Sequence, residues 1–67
     1  MSTQEVLYNL RTQKGLSQDE LAEKVFVTRQ AVSRWENGDT VPNTETLKLL
    51  SSLYQVSINT LLGYQNQ

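Results

Sequence analysis

The chain has 67 residues, carries six basic and seven acidic side chains for a net charge of −1, and contains neither cysteine nor histidine. A chain this short forms one small domain, and the missing residue types exclude disulfides, thiolate or imidazole catalysis and zinc sites of the usual Cys/His kind. No paired nucleophile and base or glycine-rich phosphate loop is visible. The sequence therefore predicts that the chain is not an enzyme and holds neither a cofactor nor a metal.

No stretch approaches the roughly 18 apolar residues that a bilayer-spanning helix needs. The first residues also lack the basic and apolar regions of a signal peptide. We therefore expect a cytoplasmic protein whose present segment makes no membrane contact.

The first segment shows helical periodicity. Its apolar residues are Val6, Leu7 and Leu10. Ser2 or Thr3 can cap its start, and Gly15 can adopt the left-handed conformation in which helices often stop. The pattern predicts a first helix over residues 3–14.

A capping box marks the second helix. The Ser17 side chain can accept the backbone N–H of Glu20, while the Glu20 side chain accepts that of Ser17. The apolar residues that follow are Leu21, Ala22 and Val25. We expect a helix over residues 18–25.

The third helix begins almost at once, because Thr28 is another N-cap residue. Its apolar positions are Ala31, Val32 and Trp35. The predicted helix covers residues 29–37, with Gly38 as its stop. Trp35 is large enough to stack on a partner, but its spacing from Val32 favours the core.

Two further helices follow a loop marked by glycine, proline and asparagine. The apolar stripe of the fourth is Leu47, Leu50, Leu53 and Tyr54. The predicted bounds are 44–54 for the fourth helix and 58–63 for the fifth, which Ser57 caps. The whole chain, residues 1–67, is thus predicted to be a single all-α, compact five-helix bundle in which helices 2 and 3 form a helix-turn-helix.

Three stretches and Pro42 resemble one family. The stretches are LRTQKGLSQDELAEKV at 10–25, VTRQAVSRWENG at 27–38 and LSSLYQVSINTLL at 50–62. Together they resemble the Cro/C1-type, lambda-repressor-like helix-turn-helix family. The resemblance implies that the third helix lies in the major groove of double-stranded DNA and that dimers read palindromic half-sites about one helical turn apart.

The third helix has polar residues at its outward positions, and their chemistry suits base recognition. These positions are Arg29, Gln30, Ser33 and Arg34. Arginine can donate to the two major-groove acceptors of guanine, and glutamine can bond both the N6 and the N7 atoms of adenine. The family places base contacts at positions that correspond to Arg29, Gln30 and Arg34. Contacts to phosphate are expected from Gln18, Asn37 and Gly38. Weaker candidates for such contacts are Ser17, Thr28 and Ser33.

The charge distribution qualifies this expectation. A net charge of −1 argues against nucleic-acid binding, since counterion release needs clustered cations. Three acidic residues, Asp19, Glu20 and Glu23, lie in the second helix, where carboxylates near the start favour the helix dipole. Arg29 and Arg34, in contrast, lie on the third helix. We predict moderate DNA affinity that falls steeply with salt; alternatively, both arginines are ordinary solvated charges.

The resemblance also implies an ion pair between Arg11 and Glu36, joining the first and third helices. The chain departs from the family pattern at two positions. Phe26 stands where the family often has glycine, so that the turn is either strained by about 1 kcal/mol or relaxed. Thr44 replaces a position that is usually apolar.

The end of the chain offers a candidate dimer patch. Its members are Ile58, Leu61, Leu62 and Tyr64. The same residues could instead cover the core. We expect a homodimer, at least on DNA.

Two functions remain open from the sequence. The first is a sequence-specific DNA-binding transcriptional regulator, a repressor that occupies a palindromic operator as a dimer. The alternative is a protein-interaction module, such as an antitoxin or adaptor, supported by the acidic net charge and the leucine-rich region 47–62. Substitution of Arg29 and Arg34 separates the two.

Overall fold

The computed structural model describes residues 2–64, which form five α-helices and no strand. The helices are α1 (Thr3–Gln13), α2 (Gln18–Lys24), α3 (Arg29–Asn37), α4 (Thr44–Tyr54) and α5 (Ile58–Leu61). The predicted all-α, five-helix class is confirmed for this part of the chain. Helices α1 and α2 each end one residue before the predicted position, and α5 ends two residues before it.

Each helix begins at a polar side chain that accepts a backbone N–H three residues ahead. These caps are Ser2, Ser17, Thr28, Asn43 and Ser57. The predicted capping box is present at Ser17, where the Glu20 N–H donates to Ser17 Oγ at 3.0 Å and the Ser17 N–H donates to Glu20 Oε1 at 2.8 Å. The hydrogen bond from the Ser17 backbone N–H holds the pKa of the Glu20 carboxyl below its usual value.

All five helices end in the same way, with a left-handed residue followed by an N–H that bonds a carbonyl five residues back. The left-handed residues are Gly15, Phe26, Gly38, Gln55 and Gly63. This closing turn satisfies carbonyls that the helix itself leaves free. It also explains the early end of α5, since the Tyr64 N–H bonds the Asn59 carbonyl across Gly63.

All five helices contribute buried apolar residues to one core. Helix α3 packs on α1 and α2, while α5 packs on both α4 and α1. The fully or almost fully buried apolar residues are Val6, Leu7, Leu21, Ala22, Val25, Val32, Trp35, Leu47, Leu50 and Leu61. Trp35 therefore belongs to the core, as its spacing predicted, and does not offer its ring for stacking on a partner.

Helix α4 adds two features that its stripe of leucines does not predict. Thr44, which replaces a usually apolar position of the family, is the exposed first residue of α4, whereas Thr46 is buried. The hydroxyl of Tyr54 is buried and has no hydrogen-bond partner among the described residues. Burial raises the pKa of Tyr54 to about 12, and the nearby Glu36 carboxylate adds to the effect.

Candidate nucleic-acid interface

Helix α3 has a buried side and an exposed side. Val32 and Trp35 face the core, whereas Arg29, Gln30 and Arg34 are exposed. We call these three exposed side chains the outer face of α3. Ser33, also expected on the outside, is half-buried. The outer face thus presents two guanidinium groups and one amide from a single rigid helix.

The far end of α3 is held by a buried ion pair. Glu36 accepts from Arg11 Nε at 2.6 Å and from Arg11 Nη2 at 2.9 Å, and the two side chains are only 5% and 11% exposed. The predicted pair is therefore present and bidentate. Its hydrogen bonds to Glu36 raise the pKa of Arg11 above the ordinary value.

Two further contacts extend this pair to α2 and to the turn that precedes it. Gln18 Nε2 donates to Glu36 Oε1 at 3.0 Å, and Arg11 Nη1 donates to the Leu16 carbonyl at 2.8 Å. The Glu36 carboxylate is thus a common acceptor for side chains of α1 and α2. This network of hydrogen bonds fixes the angle at which α3 projects from the bundle.

The near end of α3 carries a different ion pair. Arg29 Nε lies 3.6 Å from Asp19 Oδ1, and the side chains are 54% and 77% exposed. Within residues 2–64, Arg34 forms no ion pair. From the sequence, Asp19 is expected only to favour the dipole of α2, so this contact is one that sequence reasoning missed.

The candidate phosphate contacts lie around this face with different surroundings. Ser17 and Thr28 use their hydroxyl oxygens as cap acceptors, which leaves the O–H protons available to another acceptor. Gln18 is half-buried, and its amide donates a hydrogen bond to Glu36. Asn37 is exposed at the last position of α3. Contact of these residues with phosphate stays a prediction.

Gly38 is first of all a helix stop. Its φ of +83° is unfavourable for any residue with a side chain, and an added Cβ would lie 2.1 Å from Gln4 Oε1. The exposed backbone next to Asn37 depends on this glycine.

Phe26 keeps the left-handed geometry of the turn between α2 and α3. Its φ is +61° and the residue is 82% exposed. Of the two alternatives drawn from the sequence, strain or relaxation, the backbone geometry corresponds to strain. The exposed ring gains no packing that would offset it.

The candidate dimer patch needs a correction. Leu61 is fully buried and forms part of the core, because the single turn of α5 points it at the inside of the bundle. Ile58 and Leu62 are half-buried and pack against the core, and Tyr64 is exposed. Only three of the four residues therefore remain available at the surface.

Comparisons with known proteins agree with this geometry. Residues 7–61 match the family model described as helix-turn-helix. The chain belongs to the Cro/C1-type helix-turn-helix family. The expectation that it is not an enzyme agrees with its relatives, which are named as transcriptional regulators.

Two curated relatives show how far the similarity extends. The chain is 47% identical over 63 residues to the HTH-type transcriptional activator BcrR of Enterococcus faecalis, covering 94% of this chain and 31% of that protein. It is 40% identical over 63 residues to the HTH-type transcriptional regulator ImmR of Bacillus subtilis, covering 94% and 50%. The chain therefore spans half or less of these two relatives.

Two solved structures of regulatory proteins have the same fold as this chain. The P22 c2 repressor in complex with synthetic operator 9T superposes with a TM-score of 0.90 at 32% identity, over 97% of this chain and 98% of that one. A transcriptional regulator from Listeria innocua also superposes with a TM-score of 0.90, at 30% identity, over 98% of this chain and 62% of that one. Among the described residues of this protein, no helix is long and apolar enough to cross a membrane, and no cluster of acidic side chains could hold a metal ion.

Proposed function

We propose that this chain is the sequence-specific, double-stranded DNA-binding domain of a cytoplasmic transcriptional regulator. The observation that carries the proposal is the outer face of α3, where Arg29, Gln30 and Arg34 are exposed on a helix whose other side is locked into the core. A major groove about 12 Å wide admits one helix, and its guanine edges offer two acceptors to each arginine. The similar P22 c2 repressor is in complex with a synthetic operator, which supports DNA as the partner of this chain.

Contacts around the outer face would set the register of the domain on the duplex. We propose that Arg29, Gln30 and Arg34 contact bases and that Thr28 offers its methyl group to thymine. The expected contacts to phosphate come from Ser17, Gln18, Ser33, Asn37 and Gly38. In this arrangement the pair of Arg11 and Glu36 touches no DNA and acts only by orienting α3.

We further propose that the domain binds a palindromic operator as a homodimer and represses by occupying a promoter. Two copies related by a two-fold axis read half-sites about 34–36 Å apart. Ile58, Leu62 and Tyr64 are the surface residues proposed to meet between the copies. The likeness to a repressor supports repression, whereas the relative BcrR is named an activator.

A selection from random duplex DNA, followed by a salt titration, tests DNA recognition. We expect a palindrome of about 10–20 base pairs and a dissociation constant that rises steeply with salt. Arg29→Ala and Arg34→Ala should each weaken binding by about 5- to 150-fold. Lys48→Ala on α4 is the matched control, because it also removes one exposed cation, and it should retain affinity.

The outcomes separate the proposed function from its alternative. An unselective pool with a flat salt dependence would contradict a sequence-specific regulator. If the protein keeps its regulatory activity after both Arg29 and Arg34 are replaced by alanine, the protein-interaction module is favoured. A reporter gene whose promoter overlaps the selected site tests the sign of regulation. Its expression should fall when the protein is present. A rise would reject repression but would not contradict DNA binding.

A further inference from the structure

The two arginines of the outer face of α3 have different neighbours. Arg34 has no acidic partner among the described residues, whereas Arg29 Nε lies 3.6 Å from the Asp19 carboxylate. Asp19 is the second residue of α2 and Arg29 is the first residue of α3, so the contact bridges the two helices of the helix-turn-helix. A carboxylate at this place is unexpected on a surface proposed to approach a polyanion.

The atoms in contact indicate what the carboxylate does. A guanidinium group has a side edge that includes Nε and an end formed by Nη1 and Nη2. Because Asp19 approaches Nε, the two terminal nitrogens stay free to donate. Two parallel donors are what the O6 and N7 atoms of guanine accept in the major groove.

We propose that Asp19 is a specificity-determining positioning residue, which presents the terminal nitrogens of Arg29 to one guanine and keeps this arginine from neighbouring phosphates. The inference rests on the proposed function of α3. Asp19 also offsets the charge of Arg29, so that this arginine contributes little to sequence-independent attraction. The domain then gives up non-specific affinity and gains discrimination at one base pair.

The exposure of the pair does not argue against this role. In water, an ion pair this exposed contributes little to folding. When a groove excludes water from the same pair, its electrostatic interaction strengthens. The effect of Asp19 should therefore appear in DNA binding and not in the stability of the free protein.

The experiment compares Asp19→Asn with Glu23→Gln, which neutralises another exposed acidic residue of α2. Dissociation constants are measured for the selected duplex and for duplexes changed at each guanine, and Arg29→Ala identifies the guanine that Arg29 reads. Discrimination is the ratio of the dissociation constants for the changed and the selected duplex. Asp19→Asn should lower this ratio at that guanine by about three- to tenfold and leave it unchanged at the position read by Arg34. Glu23→Gln should leave both unchanged.

Two further readouts distinguish positioning from a structural role. Asp19→Asn leaves the charge of Arg29 without its carboxylate. The plot of log binding constant against log salt concentration should therefore become steeper by about 0.9, because one more counterion is displaced from DNA. Asp19→Glu should restore at least part of the discrimination, since it keeps the carboxylate. Equal unfolding curves for the variants and the parent protein would exclude a folding defect as the cause.

The inference is overturned if Asp19→Asn strengthens binding to all duplexes equally and keeps full discrimination, because Asp19 would then only repel DNA. It is also overturned if Glu23→Gln has the same effect as Asp19→Asn. The proposed function fails separately, when the parent protein itself shows no preference among duplexes.

Discussion

Each end of α3 carries an ion pair between an arginine and a carboxylate, but one pair is buried and the other is exposed. At its end, Glu36 is 5% exposed and accepts bonds from Arg11 and Gln18 at 2.6–3.0 Å. At its start, Arg29 is 54% exposed and meets the Asp19 carboxylate at 3.6 Å. The comparison indicates that the buried pair determines where the helix points, while the exposed pair leaves its arginine free to meet another partner.

The largest expected effect is at the buried end. Glu36→Ala leaves the Arg11 guanidinium buried without its carboxylate, and we expect the free energy of unfolding to fall by about 3–5 kcal/mol in urea titrations. The double variant Arg11→Ala/Glu36→Ala should lose less than Glu36→Ala alone, because it leaves no unpaired charge.

The matched change at the exposed end sharpens the comparison. Arg29→Ala should alter the free energy of unfolding by less than about 1 kcal/mol, since exposed pairs contribute little. Equal losses for the single and double variants at the buried end would reject the coupling between Arg11 and Glu36. A loss for Arg29→Ala as large as that for Glu36→Ala would remove the distinction between the two ends.

The turn that precedes the exposed end should be strained. Phe26 has a φ of +61° and an exposed ring, so Phe26→Gly relieves backbone strain without removing packing. Glycine is also more flexible in the unfolded chain, which offsets part of this relief. We expect a net rise of about 0.5–1 kcal/mol in the free energy of unfolding, measured by thermal or urea denaturation.

Gly15 provides the control for Phe26, because its φ is +74° and an added Cβ would have nothing within 4 Å. Gly15→Ala should therefore lose stability through its backbone alone. If Phe26→Gly instead lowers stability, the ring stabilises the turn by packing, and this packing outweighs any backbone strain at Phe26.

The smallest expected effect concerns Tyr54, near the buried end. Its hydroxyl is buried without a partner among the described residues, so Tyr54→Phe should leave stability unchanged or raise it by up to about 1 kcal/mol. The pKa of about 12 in the folded protein exceeds the unfolded value of about 10. The folded state therefore binds the proton more tightly, and stability should fall as the pH rises from 10 to 12.

Tyr54→Phe should remove this part of the alkaline slope, which urea unfolding at a series of pH values measures. A clear loss of stability at neutral pH would mean that the hydroxyl has a partner in solution. A slope identical to that of the parent protein would reject the assignment to Tyr54.

Helix starts were predictable from the sequence because they depend on local chemistry. Ser17 with Glu20, and Thr28 before Arg29, form their caps within three residues. The last turns were less predictable, because helix ends vary by one or two residues even between observed structures. Glycines marked three of the left-handed ends, but nothing local marks Gln55, whose side chain is not a usual one for this conformation.

Tertiary placement was the part that local patterns could not supply. In the four residues of α5, periodicity does not decide which of Ile58, Leu61 and Leu62 faces the core, and only the structure shows that Leu61 does. The contact of Asp19 with Arg29 depends on the angle between α2 and α3 and on side-chain rotamers. The exposed arginines themselves followed from the helical period, which is why the outer face of α3 was predicted correctly while the carboxylate beside it was not.

The most direct test of DNA reading by the exposed end replaces single guanines of the selected duplex with 7-deazaguanine, which lacks the N7 acceptor of the major groove. We predict that the parent protein loses about tenfold or more in affinity at a guanine that Arg29 or Arg34 reads. In the corresponding alanine variant the same replacement should have almost no further effect. Equal losses in the parent protein and both arginine variants, or no loss at any guanine, would contradict the account.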